Sequence, residues 1–350
     1  MSQPAFLQRN GDSCSSRQTD DTILQDALRG MESGRHRTGA NNKHLRYWFI
    51  LNPAADKGRA RSRVAWLQQS IRKWGIDTVV QLTTQPKDAS RFAEDVKGNI
   101  DVVVACGGDG TLNEVVQALV HSDKILGCVP IGSANDFYKN IASPDLPTDT
   151  LSHIFKSGVE PVDVGQVTIT DSSGKNFRYF INSFGLGFSG RIAQVASQLT
   201  WLKGDLIYLY ALLKVTRSYK PVHMRLTLHT PDGIVSLDEK VFMVSIGNGR
   251  YEAGKFMIAP DASIRDGWLD VCVLKAISRR EVPRWILKYI KGTQITESKV
   301  VYAKVKKLEI DLSVPEMLHL DGEVIENVSG KITVEVCPSS LKVLSGNIVS

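Results

Sequence analysis

Apolar positions along the first half of the chain alternate between two periods. Residues 46–52 (RYWFILN) form a short apolar run that is typical of a buried strand, and a polar loop follows it. Beyond the loop, apolar residues recur at helical spacing: Val64, Leu67, Ile71 and Trp74. This strand-then-helix unit repeats, with further strands predicted over 76–82, 101–106 and 125–130. Because strands that alternate with helices over short links form parallel sheets covered on both faces, the pattern predicts a doubly wound α/β domain over residues 46–160.

Two helices carry recognisable start signals. The helix after the second strand is predicted to begin with Asp88 as its N-cap, because a short polar side chain there can accept hydrogen bonds from the first-turn amides. The segment 278–292 (SRREVPRWILKYIKG) is predicted to be a helix whose Ser278 and Glu281 form a capping box. We interpret it as a surface helix with one face packed on the core and a charged face that includes Arg284 and Lys288.

The rhythm changes at about residue 161. Strand-like segments now follow one another or enclose a helical stretch at about 188–217, which predicts a β-rich, β-sandwich-like domain over residues 161–330. Residues 331–350 are expected to return to the first domain. The first 45 residues lack a sustained apolar period and the hydrophobic middle of a signal peptide, so residues 1–45 are predicted to be a disordered leader.

Composition limits the classes of molecule that the protein is expected to bind. The 350 residues carry 43 Lys and Arg against 37 Asp and Glu, a net charge of +6, which favours an anionic ligand or lipid surface. The dense basic clusters of nucleic-acid-binding proteins are lacking, so no nucleic-acid partner is expected. The five scattered cysteines form no C-x-x-C zinc motif and indicate a reducing compartment. No apolar run approaches the ~20 residues of a membrane span, so we expect a cytoplasmic protein, peripheral to the inner face of the membrane at most. The sequence leaves open whether the protein forms a homodimer.

The stretch 101–119 (DVVVACGGDGTLNEVVQAL) contains the chemistry. Gly107, Gly108 and Gly110 remove every Cβ where a predicted strand passes into a predicted helix, so phosphate oxygens can approach main-chain amides and the helix N-terminus. The carboxylate of Asp109 would repel bare phosphate, so its presence implies a cation, most simply nucleotide-bound Mg²⁺. The competing interpretation is a glycine-rich turn in which Asp109 merely caps the helix. Two polar loops at equivalent strand ends, 52–58 and 131–137, favour a nucleotide cleft.

These residues resemble the lipid kinases with a diacylglycerol kinase catalytic domain, in particular the bacterial diacylglycerol kinase and YegS-like branch, with the sphingosine kinases as relatives. The resemblance runs from about residue 46 to the C-terminus and depends on ordered motifs, which are GGDGTLNEVV (107–116), PIGSANDF (130–137), VDVG (162–165), FINSFGLGF (180–188), NGRYEAGKFMIAPDASIRDGWLDV (248–271) and LDGE (320–323). It implies an ATP- and Mg²⁺-dependent kinase that transfers the γ-phosphate to a lipid hydroxyl, as in phospholipid biosynthesis.

The resemblance also assigns roles. It implies that Glu323 accepts the proton of the acceptor hydroxyl, with Asp321 beside it and Asp109 in the nucleotide loop as the third catalytic carboxylate. It implies a structural Mg²⁺ held by the Asp266 side chain and the backbone carbonyls of Ser263 and Trp268. The residues expected around ATP are Asn52, Pro53, Ala54, Ala55, Asp56, Thr83, Gly107, Gly108, Asp109, Gly110, Thr111, Leu112, Asn113 and Ser133.

Four positions depart from the family pattern. Asp56 replaces a loop glycine, Ser133 replaces a threonine, Ser189 replaces the acid expected after G-x-G-F, and Arg265 replaces the first acid of D-D-G. Two other functions remain as alternatives. An NAD kinase-like small-molecule kinase would share the G-G-D-G-T loop, and a non-catalytic nucleotide or lipid sensor could retain the fold, although Asp109, Asn113 and Glu323 are all present.

Overall fold

The computed structural model describes residues 45–346 except for 59, 75–77, 97, 143–149, 172–173 and 200–204. The predicted leader therefore lies outside the described residues, apart from its last position. In the first domain, strands and helices alternate as the apolar pattern predicts: β1 (Tyr47–Leu51), α1 (Arg61–Trp74), β2 (Thr78–Leu82), α2 (Asp88–Glu94), β3 (Val102–Gly107), α3 (Asp109–Leu119), β4 (Ile125–Pro130), α4 (Tyr138–Ile141) and α5 (Thr150–Lys156).

The first sheet is parallel and covered on both faces. Strands β2, β1, β3 and β4 lie side by side in that order, and all of their pairings are parallel. Every residue of β3 is buried, since its alternate side chains enter two separate hydrophobic clusters. Val103 packs in one cluster and Val104 in the other, with helices on both sides. Burying an aliphatic side chain of this kind contributes about 1.5–3 kcal/mol, so the apolar run fixes the central strand.

The second domain is rich in antiparallel strands. It contains β5 (Gly158–Asp171), β6 (Gly174–Phe180), β7 (Ser183–Gly187), α6 (Phe188–Ser197), α7 (Asp205–Ser218), β8 (Val222–Thr230), β9 (Gly233–Gly247), β10 (Tyr251–Glu252), β11 (Phe256–Met257), β12 (Leu269–Lys275), α8 (Val282–Lys291), β13 (Val300–Val305), β14 (Lys307–Leu320) and β15 (Glu323–Ser345). A buried aliphatic and aromatic cluster from these strands, including Phe184, Leu226 and Val271, forms its core. The predicted fold class, α/β followed by a β-rich domain, is confirmed.

Strand β15 joins the two sheets. Most of its length pairs with β14 and β5, but Lys342 and Val343 near its end pair in parallel with Ile125 and Leu126 of β4. Hydrogen bonds therefore connect the first sheet, through β15, to the strands of the second domain. The predicted domain boundary at 160 falls inside β5, and the one at 330 falls inside β15. These boundaries remain a prediction.

Of the two helix-start signals predicted from the sequence, one is confirmed and one is wrong. The capping box of Ser278 and Glu281 is confirmed, and it precedes α8 through a short 3₁₀ turn. The N-cap prediction for Asp88 is wrong, because Lys87 holds that position in a left-handed conformation. The buried Asp88 carboxylate instead accepts hydrogen bonds from the backbone amides of Thr84 and Gln85, so it closes the turn before the helix. No helix among the described residues has the length and apolar character needed to cross a membrane.

Candidate functional site

Three predicted loops meet at the carboxyl edge of the first sheet. The side-chain amide of Asn52, after β1, donates to Thr111 Oγ1 in the first turn of α3 at 2.9 Å. The hydroxyl of Ser133, after β4, donates to Asp56 Oδ1 at 2.8 Å. Parallel strands bring their carboxyl ends to one edge, so loops that are 77 residues apart in the chain become neighbours. The edge is therefore one continuous polar surface.

Glycines allow these loops to approach each other. A Cβ added at Gly132 would lie 2.3 Å from the Cα of Gly108, and one at Gly107 would lie 2.4 Å from Thr111 Oγ1. A side chain at Gly132 would force the two backbones apart, and one at Gly107 would displace the Thr111 side chain. Gly110 differs, since a Cβ there would have no neighbour within 4 Å, so this face of the loop is open. The first two glycines serve packing, and the third leaves room for a ligand.

The N-terminus of α3 has no side-chain cap. Gly108 is the N-cap residue, and no side chain accepts a hydrogen bond from the first-turn amides at that position. Amides of the first turn have no partner inside their own helix, and with the helix dipole they form an anion-binding site. Asp109 does not fill that role, because its Oδ1 accepts from the backbone amides of Asp136 at 2.7 Å and Phe137 at 3.4 Å. The interpretation of Asp109 as a simple helix cap is therefore wrong.

The Asp109 carboxylate is poised to change its charge. Burial, reinforced by the nearby carboxylates of Asp136 and Asp321, raises the pKa of Asp109 to about 6, although the two amide contacts oppose the shift. Its Oδ2 has no hydrogen-bond partner among the described residues. A carboxylate with a raised pKa and one free oxygen can take up a proton or a cation near neutral pH.

Asp321 lies close by and is saturated with donors. Its Oδ1 accepts from the amides of Asn182 and Ser183, and its Oδ2 accepts from the amide of Ile181 and from the side chain of Asn113 at 2.7 Å. Asn113 belongs to α3 of the first domain, so this carboxylate links both domains. Asp321 is 9% exposed and Asn113 is fully buried. Their contacts favour a positioning role for both.

The other predicted site residues are distributed around this centre. Glu323 begins β15 and forms an ion pair with Arg178, and it is not part of the cavity lining described below. Thr83 donates its amide to Leu51 O at the end of the neighbouring strand. Pro53, Ala54, Ala55 and Asp56 form the turn after β1, and the Ala54 amide donates to Asn52 Oδ1. The roles predicted for these residues stay predictions.

An apolar cavity of about 500 Å³ opens beside the carboxylates. Asp109, Leu112 and Asp321 line it, together with apolar side chains from α6, α7 and α8 such as Phe188, Leu212 and Trp285. This volume is within the range of about 300–1,000 Å³ that is usual for small-molecule sites. The cavity thus shares Asp109 with the edge where the phosphate-binding amides lie.

The segment predicted to hold a structural metal has a different cation. The Lys304 ammonium lies 2.5 Å from Asp266 Oδ2 and 3.2 Å from Oδ2 of the fully buried Asp270. The amide of Trp268 donates to Asp266 Oδ1, and Arg265 pairs with Glu160 at 2.7 Å. No group of three or more His, Cys, Asp or Glu among the described residues is arranged to hold a metal. These contacts do not fit a divalent ion at Ser263, Asp266 and Trp268, so that assignment stays a prediction that the geometry opposes.

Several polar residues at the cavity were not predicted from the sequence. Asp136, His319, Glu252 and Ser245 line it, and they belong to four different strands or loops. Asp136 and Glu252 lie in motifs quoted above, but the resemblance assigned neither of them a role. His319 could have been noticed because it precedes Asp321, a predicted site residue, by two positions. Ser245 shows no sequence signal.

The family models and the similar proteins agree on one family. Residues 46–167 match the diacylglycerol kinase catalytic domain, and residues 182–345 match the YegS C-terminal NAD kinase beta sandwich-like domain. A diacylglycerol kinase of Bacillus subtilis is 30% identical over 284 residues, which cover 79% of this chain and 88% of the relative. A Xanthomonas oryzae protein named "Probable lipid kinase YegS-like" is 32% identical over 288 residues, covering 79% and 89%.

A solved structure shares the fold. The crystal structure of a diacylglycerol kinase from Bacillus anthracis superposes with a TM-score of 0.61 at 20% sequence identity, and the match covers 87% of this chain and 98% of that chain. At this level of identity the likeness concerns the fold.

Proposed function

The chain belongs to the family of lipid kinases with a diacylglycerol kinase catalytic domain, and we propose that it transfers the γ-phosphate of Mg²⁺-bound ATP to a hydroxyl group of a lipid held in the interdomain cavity. One observation carries the proposal: Asp109 lies in the glycine loop at the uncapped N-terminus of α3 and also lines the apolar cavity. A phosphate donor and an apolar acceptor would therefore meet at one carboxylate.

The first domain supplies the nucleotide site. The first-turn amides of α3 and the open face at Gly110 would bind the triphosphate, with the loops containing Asn52 and Ser133 beside them. Phosphoryl transfer depends mainly on placing the reactants and neutralising charge, and little covalent chemistry is required of the protein. Fixed amides meet both demands.

The carboxylates beside the loop fit a magnesium ion that arrives with the nucleotide. Mg²⁺ usually takes one or two protein carboxylates, with phosphate oxygens and water completing its shell. Asp109 has a free Oδ2, and the repulsion from Asp136 that helps to raise its pKa would be relieved by a cation. When bound, the ion would neutralise charge on the β- and γ-phosphate oxygens.

Asp109 is better placed than Glu323 to face the acceptor hydroxyl, because it lines the cavity. Its single free oxygen cannot hold Mg²⁺ and take the hydroxyl proton at once, so with the ion bound the proton would pass to another base, such as the Glu323 that the resemblance implies. Glu323 is paired with Arg178 and does not line the cavity, so it would have to leave its partner first. Asp321, with both oxygens occupied by donors, would position the segment 181–183 at the cavity.

The second domain supplies an entry for a lipid. Helix α7 exposes Leu206, Leu209 and Leu213, which are 59%, 51% and 64% exposed and form one stripe along the helix. On the same helix Ile207 and Leu212 line the cavity. An exposed apolar stripe next to an apolar cavity is typical of a peripheral membrane contact, through which an acceptor could leave the bilayer. Lys288 is less available to anionic headgroups than expected, because it pairs with Glu297 at 2.5 Å.

Labelled phosphate transfer tests the proposal. Purified full-length protein is incubated with γ-labelled ATP and Mg²⁺ and, in separate reactions, with diacylglycerol, monoacylglycerol, a sphingoid base, ceramide or NAD. We expect label in at least one lipid and none in NAD. Label in NAD alone would establish an NAD kinase-like enzyme, and ATP binding without transfer to any acceptor would establish a sensor. Either result would overturn the proposal.

A further inference from the structure

Four polar side chains that line the apolar cavity each have a buried atom without a hydrogen-bond partner among the described residues. The unpartnered atoms are His319 Nδ1, Glu252 Oε2, Ser189 Oγ and Ser245 Oγ. His319 is 2% exposed and Ser245 is 1% exposed, so solvent does not reach them. An unsatisfied buried polar group costs about 1–3 kcal/mol, and proteins rarely tolerate several in one place. Four such atoms around one cavity indicate a ligand with polar groups of its own.

The backbone is arranged to create this polar patch. His319, Gly185 and Ser245 are direct neighbours across the adjacent strands β14, β7 and β9, so they share one face of the sheet. A Cβ at Gly185 would lie 2.2 Å from His319 Nε2 and 2.5 Å from Ser189 Oγ. The glycine thus leaves a gap in the row, and the histidine and both serines surround it.

The charges of the patch define what it can bind. Glu252 Oε1 lies 3.4 Å from His319 Nε2. Burial disfavours a charged imidazole, but the carboxylates of Glu252 and Asp321 outweigh it and raise the pKa of His319. The second oxygen of Glu252 remains a buried acceptor without a donor. A hydroxyl or an amine of a ligand can supply that hydrogen, and an ester oxygen cannot.

We propose that Glu252, His319, Ser189 and Ser245 form a specificity subsite for a second hydrogen-bond donor on the acceptor lipid, a free hydroxyl or amine close to the hydroxyl that receives the phosphate. This inference rests on the proposed function. His319 lies near the end of β14, two residues before Asp321 in the following turn, and both line the cavity together with Asp109, so the subsite lies beside the carboxylates. Lipids with a single acyl chain and a second hydroxyl or amine fit the site. Diacylglycerol, whose other oxygens are esterified, would leave Glu252 Oε2 unpaired.

Matched lipids isolate the hydrogen-bond donor. A monoacylglycerol is compared with the same molecule methylated on its second hydroxyl, and an analogue with an amine in place of that hydroxyl is compared with its N-trimethylated form, which has no N–H to donate. Binding to the full-length protein is measured by calorimetry with lipid presented in detergent micelles, and transfer from labelled ATP is measured in parallel. We expect the lipid with the free donor to bind at least about 10-fold more tightly, because sites built to hydrogen-bond a donor reject analogues without it. The pair with the larger ratio identifies hydroxyl or amine as the preferred donor.

Two variants separate recognition from structure. Ser245→Ala should reduce the preference for the free donor, and the double variant Glu252→Leu with His319→Leu should abolish it. Because the double change removes both partners of a buried polar pair, its free energy of unfolding should not fall. Ser197→Ala is the matched control, since this serine also lines the cavity but its hydroxyl already donates to Gln194 O at 2.8 Å.

The outcomes distinguish this inference from the proposed kinase activity. Equal affinity for free and methylated lipids, or an unchanged preference in the double variant, would overturn the subsite even if lipids are phosphorylated. Selective binding without any phosphate transfer would support the subsite and contradict the kinase assignment.

Discussion

Two polar regions can be compared: the carboxyl edge of the first sheet, and the cavity wall formed by His319, Ser189, Ser245 and Glu252 in the second domain. They leave different hydrogen-bonding groups free. At the edge, side chains satisfy one another, as Asn52 does with Thr111 and Ser133 with Asp56, and main-chain amides remain available at α3. At the wall, the strand amides are paired in the sheet, and side-chain atoms such as His319 Nδ1 remain available. Main-chain amides can bind the phosphate groups of ATP, which are the same whatever the acceptor. Free side chains on the cavity wall can distinguish one acceptor from another.

Asp109 and Asp321 show the same contrast within a single pair of carboxylates. Asp321 has donors on both oxygens, and Asp109 has donors on one only. A satisfied buried carboxylate stabilises the fold, and one that is half satisfied can do chemistry at some cost to stability. Changing each residue therefore tests the comparison, and the predictions below run from the largest expected effect to the smallest.

Asp109→Asn should produce the largest loss of activity. Removing a group that accepts a proton or holds a cation in the transition state typically lowers the rate by about 10²–10⁴-fold. In the wild-type protein, kcat/KM for ATP should fall as pH drops below about 6, because kcat/KM reports the free enzyme, in which burial and nearby carboxylates raise the pKa of Asp109 to about 6. Initial rates at limiting and at saturating ATP across pH check both. A rate within threefold of wild type would remove Asp109 from the chemistry.

The same variant should gain stability at high pH. Because the folded-state pKa of Asp109 is raised, its contribution to stability is full below about pH 4 and is lost as pH rises through about 6. At pH 8 the asparagine variant should therefore unfold with up to about 3 kcal/mol more free energy than wild type. The two proteins should converge near pH 4. Urea titrations at both pH values measure the difference, and an equal or lower stability at pH 8 would contradict the assignment.

Asp321→Ala should mainly destabilise the fold. The change leaves the amides of Ile181, Asn182 and Ser183 and the side chain of Asn113 without their acceptor. Unsatisfied buried donors cost about 1–3 kcal/mol each before relaxation, so we expect a loss of about 3 kcal/mol or more in urea denaturation. Asp321→Asn keeps one acceptor oxygen and should lose less. If the two variants were equally stable, the positioning role of Asp321 would be wrong.

The apolar stripe of α7 should contribute to membrane binding. The double variant Leu209→Ser with Leu213→Ser exchanges two exposed leucines for polar residues, each leucine being worth about 1.5–3 kcal/mol when fully buried and less at an interface. Sedimentation with phosphatidylglycerol-containing vesicles should show at least about tenfold weaker binding. Ile234→Ser, at the exposed β8–β9 turn, is the control and should bind like wild type. Undiminished binding of the double variant would exclude α7 as the contact.

Lys304→Met should have the smallest effect and should reveal which cation holds the 261–270 segment. Without its ammonium, Asp266 and the buried Asp270 repel each other, but Tyr302 still donates to Asp270. The partly exposed pair with Asp266 contributes on the order of 1 kcal/mol. Melting temperatures without nucleotide should be insensitive to Mg²⁺ and EDTA in the wild type. In the variant, Mg²⁺ should recover part of the loss. A wild-type protein stabilised by Mg²⁺ alone would restore the predicted metal site.

Much of the fold could be predicted from the sequence because it depends on short-range patterns. The apolar run of β3 and the glycines after it define a strand, a turn and a helix within 19 residues, and parallel pairing brings equivalent loops together. The N-cap error at Asp88 arose because a buried carboxylate can close the turn before a helix as readily as it can cap the helix.

The cavity wall could not be predicted, because it depends on register between distant strands. His319, Gly185 and Ser245 become neighbours only through the pairing of β14, β7 and β9, and no local pattern encodes that row. The contacts of Lys304 with Asp266 and Asp270 were hidden for the same reason. This lysine is 38 residues from Asp266 in the chain, and it belongs to a strand with no motif.

The central claim is that the cavity holds the acceptor while the edge of the first sheet holds ATP, and filling the cavity tests it most directly. Ala193 on α6 lines the cavity and is not among the residues predicted to bind ATP, so Ala193→Phe would block the lipid without touching the nucleotide loops. Calorimetry and labelled transfer are measured on the same preparation. We predict unchanged affinity for Mg²⁺-bound ATP and loss of lipid phosphorylation by at least about 100-fold, as expected when a positioned reactant is displaced. Lipid phosphorylation at the wild-type rate in this variant would contradict the account.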